Sequence, residues 1–517
     1  MLAGFGCQHS ASPDATLLQI REAARRGQLD SALHDVNVAF ARYETNPEWA
    51  ARFRVQKAHI LMLRGSYSES LQLLNDPLPQ PLTRTDTEVQ RKMVQGLAHD
   101  FLQQYEAANS SISEAEALAA TIHSSLLGDV AQARGTLELD QKKYAEAATA
   151  FHKVLSLARG QNQGSLEVLA LGSLGNVAMW QEHYDEAIDW FRTALRKARA
   201  LGSLSSESRA LGNMGWNYSA VGDFQSAEES LMEAQSKAGQ AGLVDNQIFW
   251  LTSLAGVYSQ QHRYTEADSI AQRALTLAKG QDDQYTLTSC LNTLSEIALA
   301  VGSVDDAEKY NLEALKIEHA GLDQFGIASS TIISGRIAAS KKQYEDAEKT
   351  FQKVATDQRA ETPVRWEAQA YLAQVHAAKG NVALAEREFA ESIHTISKAR
   401  NDLQHEEFQL SFLSSAIRFY DAYVEFLIER NRPLDALKIA DLSRAQTLER
   451  GLPSGSNGIK QLATFRPQEA ARRLNGTLLF YWLGENHSYL WAITAAKALL
   501  FSLPKSAEID SAVKSYR

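Results

Sequence analysis

The chain has 517 residues and a formal net charge of −10, with 52 Lys and Arg against 62 Asp and Glu. That excess of acid argues against the broadly basic surface a nucleic-acid binder needs to displace condensed counterions. The length exceeds what one hydrophobic core serves, so the chain must divide into domains or build a core that extends in one dimension. Two Cys so far apart, Cys7 and Cys290, supply neither a disulfide framework nor a four-ligand zinc site.

At the N-terminus, Met1-Leu-Ala-Gly-Phe-Gly-Cys7 places a small residue before a cysteine. This resembles the end of a bacterial lipoprotein signal, although the basic and apolar parts of such a signal are missing and Gly4 stands where Leu is usual. Residues 1–14 are therefore read in two ways. They are a flexible start on a cytoplasmic protein, or the remnant of a signal whose Cys7 carries lipid on a cell-envelope protein. No stretch of about twenty apolar residues follows anywhere, so no transmembrane segment is expected.

Residues 15–450 repeat. Tyr144-Ala-Glu-Ala147, Tyr184-Asp-Glu-Ala187, Phe224-Gln-Ser-Ala227, Tyr264-Thr-Glu-Ala267, Val304-Asp-Asp-Ala307 and Tyr344-Glu-Asp-Ala347 begin 40 residues apart each time. Related tetrads start at Leu29, Tyr67 and Tyr105 upstream, and at Val382 and, more weakly, Pro433 downstream. A small residue precedes each aromatic by about ten positions: Gly96, Gly135, Gly175, Gly215, Ala255, Ser295, Gly335 and Ala373. Glycine lowers helix propensity, so its recurrence in phase calls for a packing reason. The unit reads as two helices that nest closely at the small residue and at the Ala three positions past the aromatic. Each second helix continues with an apolar stripe at helical spacing, as in Ala187, Phe191, Ala194 and Leu195. Gly160, Gly202, Gly242, Gly280 and Gly321 follow the second helices, where a left-handed terminating residue is favoured.

The pattern Leu174-Gly175…Tyr184…Ala187…Phe191…Ala194 resembles the tetratricopeptide repeat (TPR), lengthened from its usual period near 34. The resemblance implies a mainly α protein, an α-solenoid wound as a right-handed superhelix, with the first helix of each hairpin lining a concave groove. Counted from the aligned small residue, the groove positions include Asn176, Trp180, Asn213, Trp216, Asn292, Glu296 and Arg336. Asn donates to and accepts from a peptide backbone, and Trp offers a large apolar face with a polar handle. Both Trp residues also suit packing between neighbouring repeats. A protein or peptide ligand is the expected partner, with no nucleic acid and the oligomeric state left open.

Past residue 450 the periodicity ends. Gly451-Leu-Pro-Ser-Gly-Ser-Asn-Gly458 is rich in turn formers, and residues 451–465 are expected to be a linker. Thr477–Trp482, Ser488–Thr494 and Lys497–Leu503 read as three strands of a meander, followed by a helix from Glu508. Residues 466–517, with Leu442–Arg450, Asn475-Gly-Thr-Leu-Leu-Phe-Tyr481 and Phe501-Ser-Leu-Pro504, resemble the opening of a CHAT domain. That is the α/β caspase-like domain that follows such repeats in bacteria. The resemblance implies a cysteine peptidase with a His-Cys dyad later in the domain. No Cys follows Cys290, so no catalytic residue is carried over, and His487 has no thiol beside it in sequence.

No P-loop, dinucleotide fingerprint or His-Glu-x-x-His zinc helix occurs, so no cofactor or metal is expected. The leading expectation is a protein-interaction scaffold. The alternatives are the recognition arm of a CHAT-type peptidase and the sensor arm of a bacterial regulator.

Overall fold

The structure, a computed structural model, describes residues 12–25, 27–280, 284–320, 324–357, 360–450, 466–484 and 486–516. Cys7 and the linker expected at 451–465 lie outside the described residues. Among the described residues the chain forms 24 α-helices and three strands.

The helices come in hairpins. They run α1 (Pro13–Arg25) with α2 (Leu29–Arg42), α3 (Pro47–Leu63) with α4 (Tyr67–Leu74), α5 (Asp86–Phe101) with α6 (Tyr105–Ile122), and α7 (Leu127–Asp140) with α8 (Tyr144–Gly160). Next come α9 (Gly164–Trp180) with α10 (Tyr184–Ala200), α11 (Leu204–Ala220) with α12 (Phe224–Ala241), and α13 (Val244–Gln260) with α14 (Tyr264–Ala278). The series closes with α15 (Gln284–Ala300) and α16 (Val304–Ala320), α17 (Gln324–Ser340) and α18 (Tyr344–Ala355), α19 (Thr362–Ala378) and α20 (Val382–Asp402), and α21 (Glu406–Glu429) and α22 (Pro433–Arg450). Every tetrad aligned in the sequence starts a second helix. This is a TPR-like solenoid, in which no hairpin buries its apolar face without a neighbour.

The small residues sit at the nesting point, but what they admit is larger than expected. A Cβ added to Gly135 would lie 2.4 Å from the ring of Phe151, and one on Gly175 or Gly335 would lie 2.7 Å from Phe191 or Phe351. The missing side chain thus makes room for the aromatic seven residues into the second helix, more than for the aligned Ala. Ala147, Ala187 and Ala347 are fully buried beside it. Where the small residue is Ser295, its hydroxyl donates to the carbonyl of Ala307 over 2.6 Å.

The turn inside each hairpin adds a feature the sequence did not announce. The residue two positions before each second helix is left-handed. Glycine occupies it at Gly27, Gly65, Gly222, Gly302 and Gly380, and other residues do so at Gln103, Lys142, Glu182, His262, Lys342 and Asn431. The left-handed glycines expected after second helices are found at Gly202 and Gly242. Gly160 instead ends α8, and Asn162 takes the left-handed position there. Gly280 is not among the left-handed glycines, and Gly321 lies outside the described residues.

The chain divides into two compact units: Met1–Gly215 with Ser230–Trp250, and Trp216–Glu229 with Leu251–Arg517. Each unit brings together segments far apart in sequence. In the first, Gly27 faces Leu243 so closely that an added Cβ would be 2.8 Å from its Cδ2. In the second, the hydroxyl of Ser411 donates to the carbonyl of Val221 over 2.7 Å, and the rings of Tyr218 and Phe408 lie 6.0 Å apart.

The second unit also carries α23 (Pro467–Arg473), then β1 (Leu478–Leu483), β2 (Ser488–Ile493) and β3 (Ala498–Leu503), and α24 (Ser506–Tyr516). The strands form an antiparallel sheet in the order β1-β2-β3, as the meander expectation required. Residues of one face turn toward α21 and α22. Trp491 is fully buried and its indole donates to the carbonyl of Pro433 over 2.8 Å, while Trp482 donates to the carboxylate of Asp421. The opposite face leaves Leu479, Tyr481, Leu483, Leu499 and Phe501 exposed.

Candidate partner-binding faces

The first helix of each hairpin carries a stripe at positions spaced by four, three and four residues, which share one helix face. In α3 these are Arg52, Gln56, His59 and Leu63, and in α5 they are Gln90, Val94, Leu97 and Phe101. Successive stripes meet. In the first unit the guanidinium of Arg21 on α1 donates to Gln56 Oε1 over 3.2 Å and to Gln90 Oε1 over 2.9 Å. The Gln90 amide reaches back to Gln56 Oε1 over 3.1 Å and to His59 Nδ1 over 3.3 Å. One side chain on α1 is thus bonded to two further first helices.

This face is crowded and carries charge of both signs. Burial pushes the His59 imidazole down to about 4, and Arg21 and Arg25 push the same way, so His59 is neutral at neutral pH and its Nδ1 accepts from Gln90. Burial lowers the Arg21 guanidinium as well, with Arg25 next in effect. Asp129 on α7 is raised by desolvation, although Arg25 and Arg21 pull it down. Charges on α1 and α7 therefore sense one another. Arg209 on α11 has an exposed side chain, and desolvation lowers its guanidinium.

The second unit has an equivalent face. Glu296 on α15 is exposed, but desolvation raises its carboxyl, with Arg336 opposing and Glu367 and Arg418 contributing. Arg336 on α17 lies over the ring of Tyr371 on α19, 5.2 Å from its centroid. Arg418 on α21 pairs with Glu367 on α19 over 2.9 Å. Four first helices therefore contribute to one patch of charge around an aromatic ring.

The residues singled out from the sequence do not all come together. Glu296 and Arg336 come together on the second unit's face. Asn176 and Asn213 are half-buried in the first unit, and Asn213 donates to Asn176 Oδ1 over 3.4 Å. Trp180 is 42 % exposed and Trp216 is half-buried. Asn292 is only 8 % exposed, and its side-chain oxygen accepts from Ser330 over 2.9 Å. The Ser330 hydroxyl shares its one proton with Glu318 Oε1, 2.6 Å away, so Asn292 belongs to a buried polar network that ties α15, α16 and α17. Arg21, Gln56, His59, Glu367, Tyr371 and Arg418 were missed. The signal for them was present: Arg21 and His59 follow Ile20 and Ala58 in the register that places Glu296 and Arg336 after their small residues, and Tyr371 precedes Ala373 as Asn213 precedes Gly215.

Cys290 is fully buried, 3.3 Å from the Thr252 hydroxyl, and burial raises its thiol to about 11. It is a protonated core residue. No helix among the described residues is long and apolar enough to cross a membrane, and no cluster of His, Cys, Asp or Glu there could hold a metal ion.

Repeated helical hairpins that nest at a small residue make this a TPR-like solenoid. Profiles described as Tetratricopeptide repeat match residues 165–236, 251–285 and 334–399, so the chain contains TPR repeats. Among solved structures the chain is similar to the apo form of RapI, at 13 % identity and a TM-score of 0.50 over 68 % of this chain and 99 % of that one. It is also similar to a Rap protein complexed with Competence and Sporulation Factor, at 12 % identity and a TM-score of 0.51 over 69 % of this chain and 100 % of that one. At such identities the likeness is one of fold. Comparison with curated protein sequences gives no match.

Proposed function

We propose that the chain is a protein-interaction scaffold that holds a peptide or protein partner on the faces of its first helices. The observation that carries this is the second unit's patch, where Glu296, Arg336, Glu367 and Arg418 from four helices converge on Tyr371. Such a patch suits recognition: partly desolvated charges and an aromatic ring reward a complementary ligand more than isolated surface charges do. The Rap protein of similar fold, solved with Competence and Sporulation Factor, supports the reading by analogy.

A selection of random peptides against the full chain tests it. Selected peptides are expected to bind Glu296→Ala/Arg336→Ala at least tenfold more weakly, and to bind Lys349→Ala/Lys353→Ala, on a second helix, unchanged. Equal loss in both variants, or no loss in either, overturns the assignment.

A second reading keeps this chain as the recognition arm of a CHAT-type cysteine peptidase. It is supported by the three-stranded antiparallel meander followed by α24. Sequencing the gene past codon 517 tests it: a His and a Cys after further strand-like segments are expected, and a stop codon there ends it.

A further inference from the structure

The three strands are apolar on both faces. Residues paired directly across antiparallel strands share a face, so Tyr481, Leu490 and Phe501 form the middle rung of the face turned away from α21 and α22. The flanking rungs add Leu479, Leu499 and Leu483. Of the nine positions in these three rungs of three, Ser488 alone is polar, and it is buried. A sheet with one face in water alternates apolar and polar residues, whereas a sheet covered on both faces reads as continuous apolar runs. Leu478-Leu-Phe-Tyr-Trp-Leu483 and Ala498-Leu-Leu-Phe-Ser-Leu503 are of the second kind, yet among the described residues the outward face stays exposed.

The size of this face and its lack of charge select what covers it. Leu479, Tyr481, Leu483, Leu499 and Phe501 are 42–55 % exposed, and five such side chains offer on the order of 500 Å² of apolar surface. Monomers seldom leave a contiguous apolar patch of that size without a use. Two such faces together bury about 1,000 Å², the size at which a specific interface begins. The chain carries a net charge of −10, so most pairings of two copies bring like charges together. Strands β1, β2 and β3 hold no charged residue, so pairing through them brings none. The two ends of the sheet differ in sign. Lys497 is exposed in the turn between β2 and β3. At the other end the Ser506 amide donates to the Gly484 carbonyl over 3.1 Å, and α24 opens there with exposed Glu508 and Asp510 beside Lys505. A two-fold axis along the middle rung reverses the strands and sets the Lys497 end of each copy over the net acidic end of the other.

We propose that the outward face of β1–β3 packs against the same face of a second copy of this chain. Stacked sheets lie about 10 Å apart, with the side chains of the facing surfaces interdigitated. Tyr481 and Phe501 then meet their own counterparts across the axis. The contact uses one patch on both copies, so it closes at two and stops. Pairing along the strand edges, by contrast, adds copies without limit. Association through the sheet is independent of any ligand on the first helices.

Sedimentation of the full chain across a wide range of concentration tests it. A reversible equilibrium between one copy and two is expected. Tyr481→Glu/Phe501→Glu should weaken pairing at least tenfold, and Tyr481→Lys/Phe501→Lys should do the same. Mixing the two variants in equal amounts should restore it, because opposite charges then face each other. Met232→Glu/Leu312→Glu replaces exposed apolar residues on second helices and should leave pairing unchanged. The outward positions lie opposite the buried Trp482 and Trp491, so unchanged indole emission shows that the sheet is still docked in each variant. A wild-type chain that sediments as one copy at every concentration overturns the proposal. So does pairing that survives in the Glu variant, a mixture that fails to pair, or growth that runs past two copies.

Discussion

The ring of Phe151 fills the space in which Gly135 would carry a side chain, so that an added Cβ would lie 2.4 Å from Cε1 and 2.6 Å from Cδ1. Gly175 with Phe191 and Gly335 with Phe351 repeat the relationship. A methyl group at any of these positions must displace a buried ring. Gly135→Ala, Gly175→Ala and Gly335→Ala are each expected to destabilise by about 1–3 kcal/mol, despite the gain in helix propensity. Chemical denaturation measures this. Phe151→Leu in the Gly135→Ala background should recover part of the loss; a purely additive double variant would count against the steric account.

Asp100 on α5 is 4 % exposed and shares a hydrogen bond with Asp140 on α7. Desolvation first, and Asp140 next, raise its carboxyl to about 8, with Glu138 adding to the effect. Tyr105 is the further titratable group beside the pair, and Glu138 is itself paired with Arg134 and Lys143. The folded chain therefore binds a proton more readily than the unfolded one. Stability contributed by this pair is fully present at low pH and is lost as pH rises through the folded value near 8. Thermal unfolding followed by circular dichroism should show a midpoint that falls between pH 5 and pH 8.5. Asp100→Asn, which supplies a permanent donor to Asp140, should flatten that fall. An unaltered slope in the variant would exclude this pair as its origin.

Six hairpin turns place a side chain in the left-handed region, among them Lys142, Glu182 and Lys342. That conformation costs a non-glycine residue roughly 1–2 kcal/mol, against about 0.5–1 kcal/mol of extra chain entropy for glycine. Lys342→Gly is expected to stabilise the second unit by about 0.5–1 kcal/mol. A shift of the denaturation midpoint to lower denaturant would contradict it.

The sheet hangs on two indoles. With Trp491 replaced by Ala, the donor to the Pro433 carbonyl and a fully buried ring are lost together, at about 3–5 kcal/mol for such a truncation. The expectation is release of β1–β3 ahead of the helices, seen as early amide exchange in residues 478–503. Among the described residues neither outer strand is paired along its second edge, so the variant should also aggregate faster. Exchange that stays cooperative with the helices would show that other contacts hold the sheet.

The hairpin architecture was readable because one physical constraint recurs: each unit must bury the same stripe, so the same small residue and the same helix start return in phase. Tyr144, Tyr184 and Tyr344 open their helices as the spacing predicts. The three strands were readable for a similar reason, in short apolar and aromatic runs between turn residues. The binding faces were less so. Residues there are not constrained to repeat, and polarity alone does not separate Glu296, which is exposed, from Asn292, which Ser330 holds in a buried network. Register, applied to every repeat including the first two, separates them better than residue type. The contacts of Gly27 with Leu243 and of Ser411 with Val221 had no local signal at all, because they depend on how many hairpins intervene.

The bond from Ser411 to Val221 spans 190 residues of chain, whereas hairpin contacts join neighbours in sequence. Hairpin pairing can begin as soon as a few dozen residues have left the ribosome, but this link has to wait until most of the chain has been synthesised. Local pairing is fast and distant closure is slow. The second unit should thus ripen in two stages, an early stacking of helices and a late fastening. Between them the turn at Gly222 stands open to any other chain that offers it a partner.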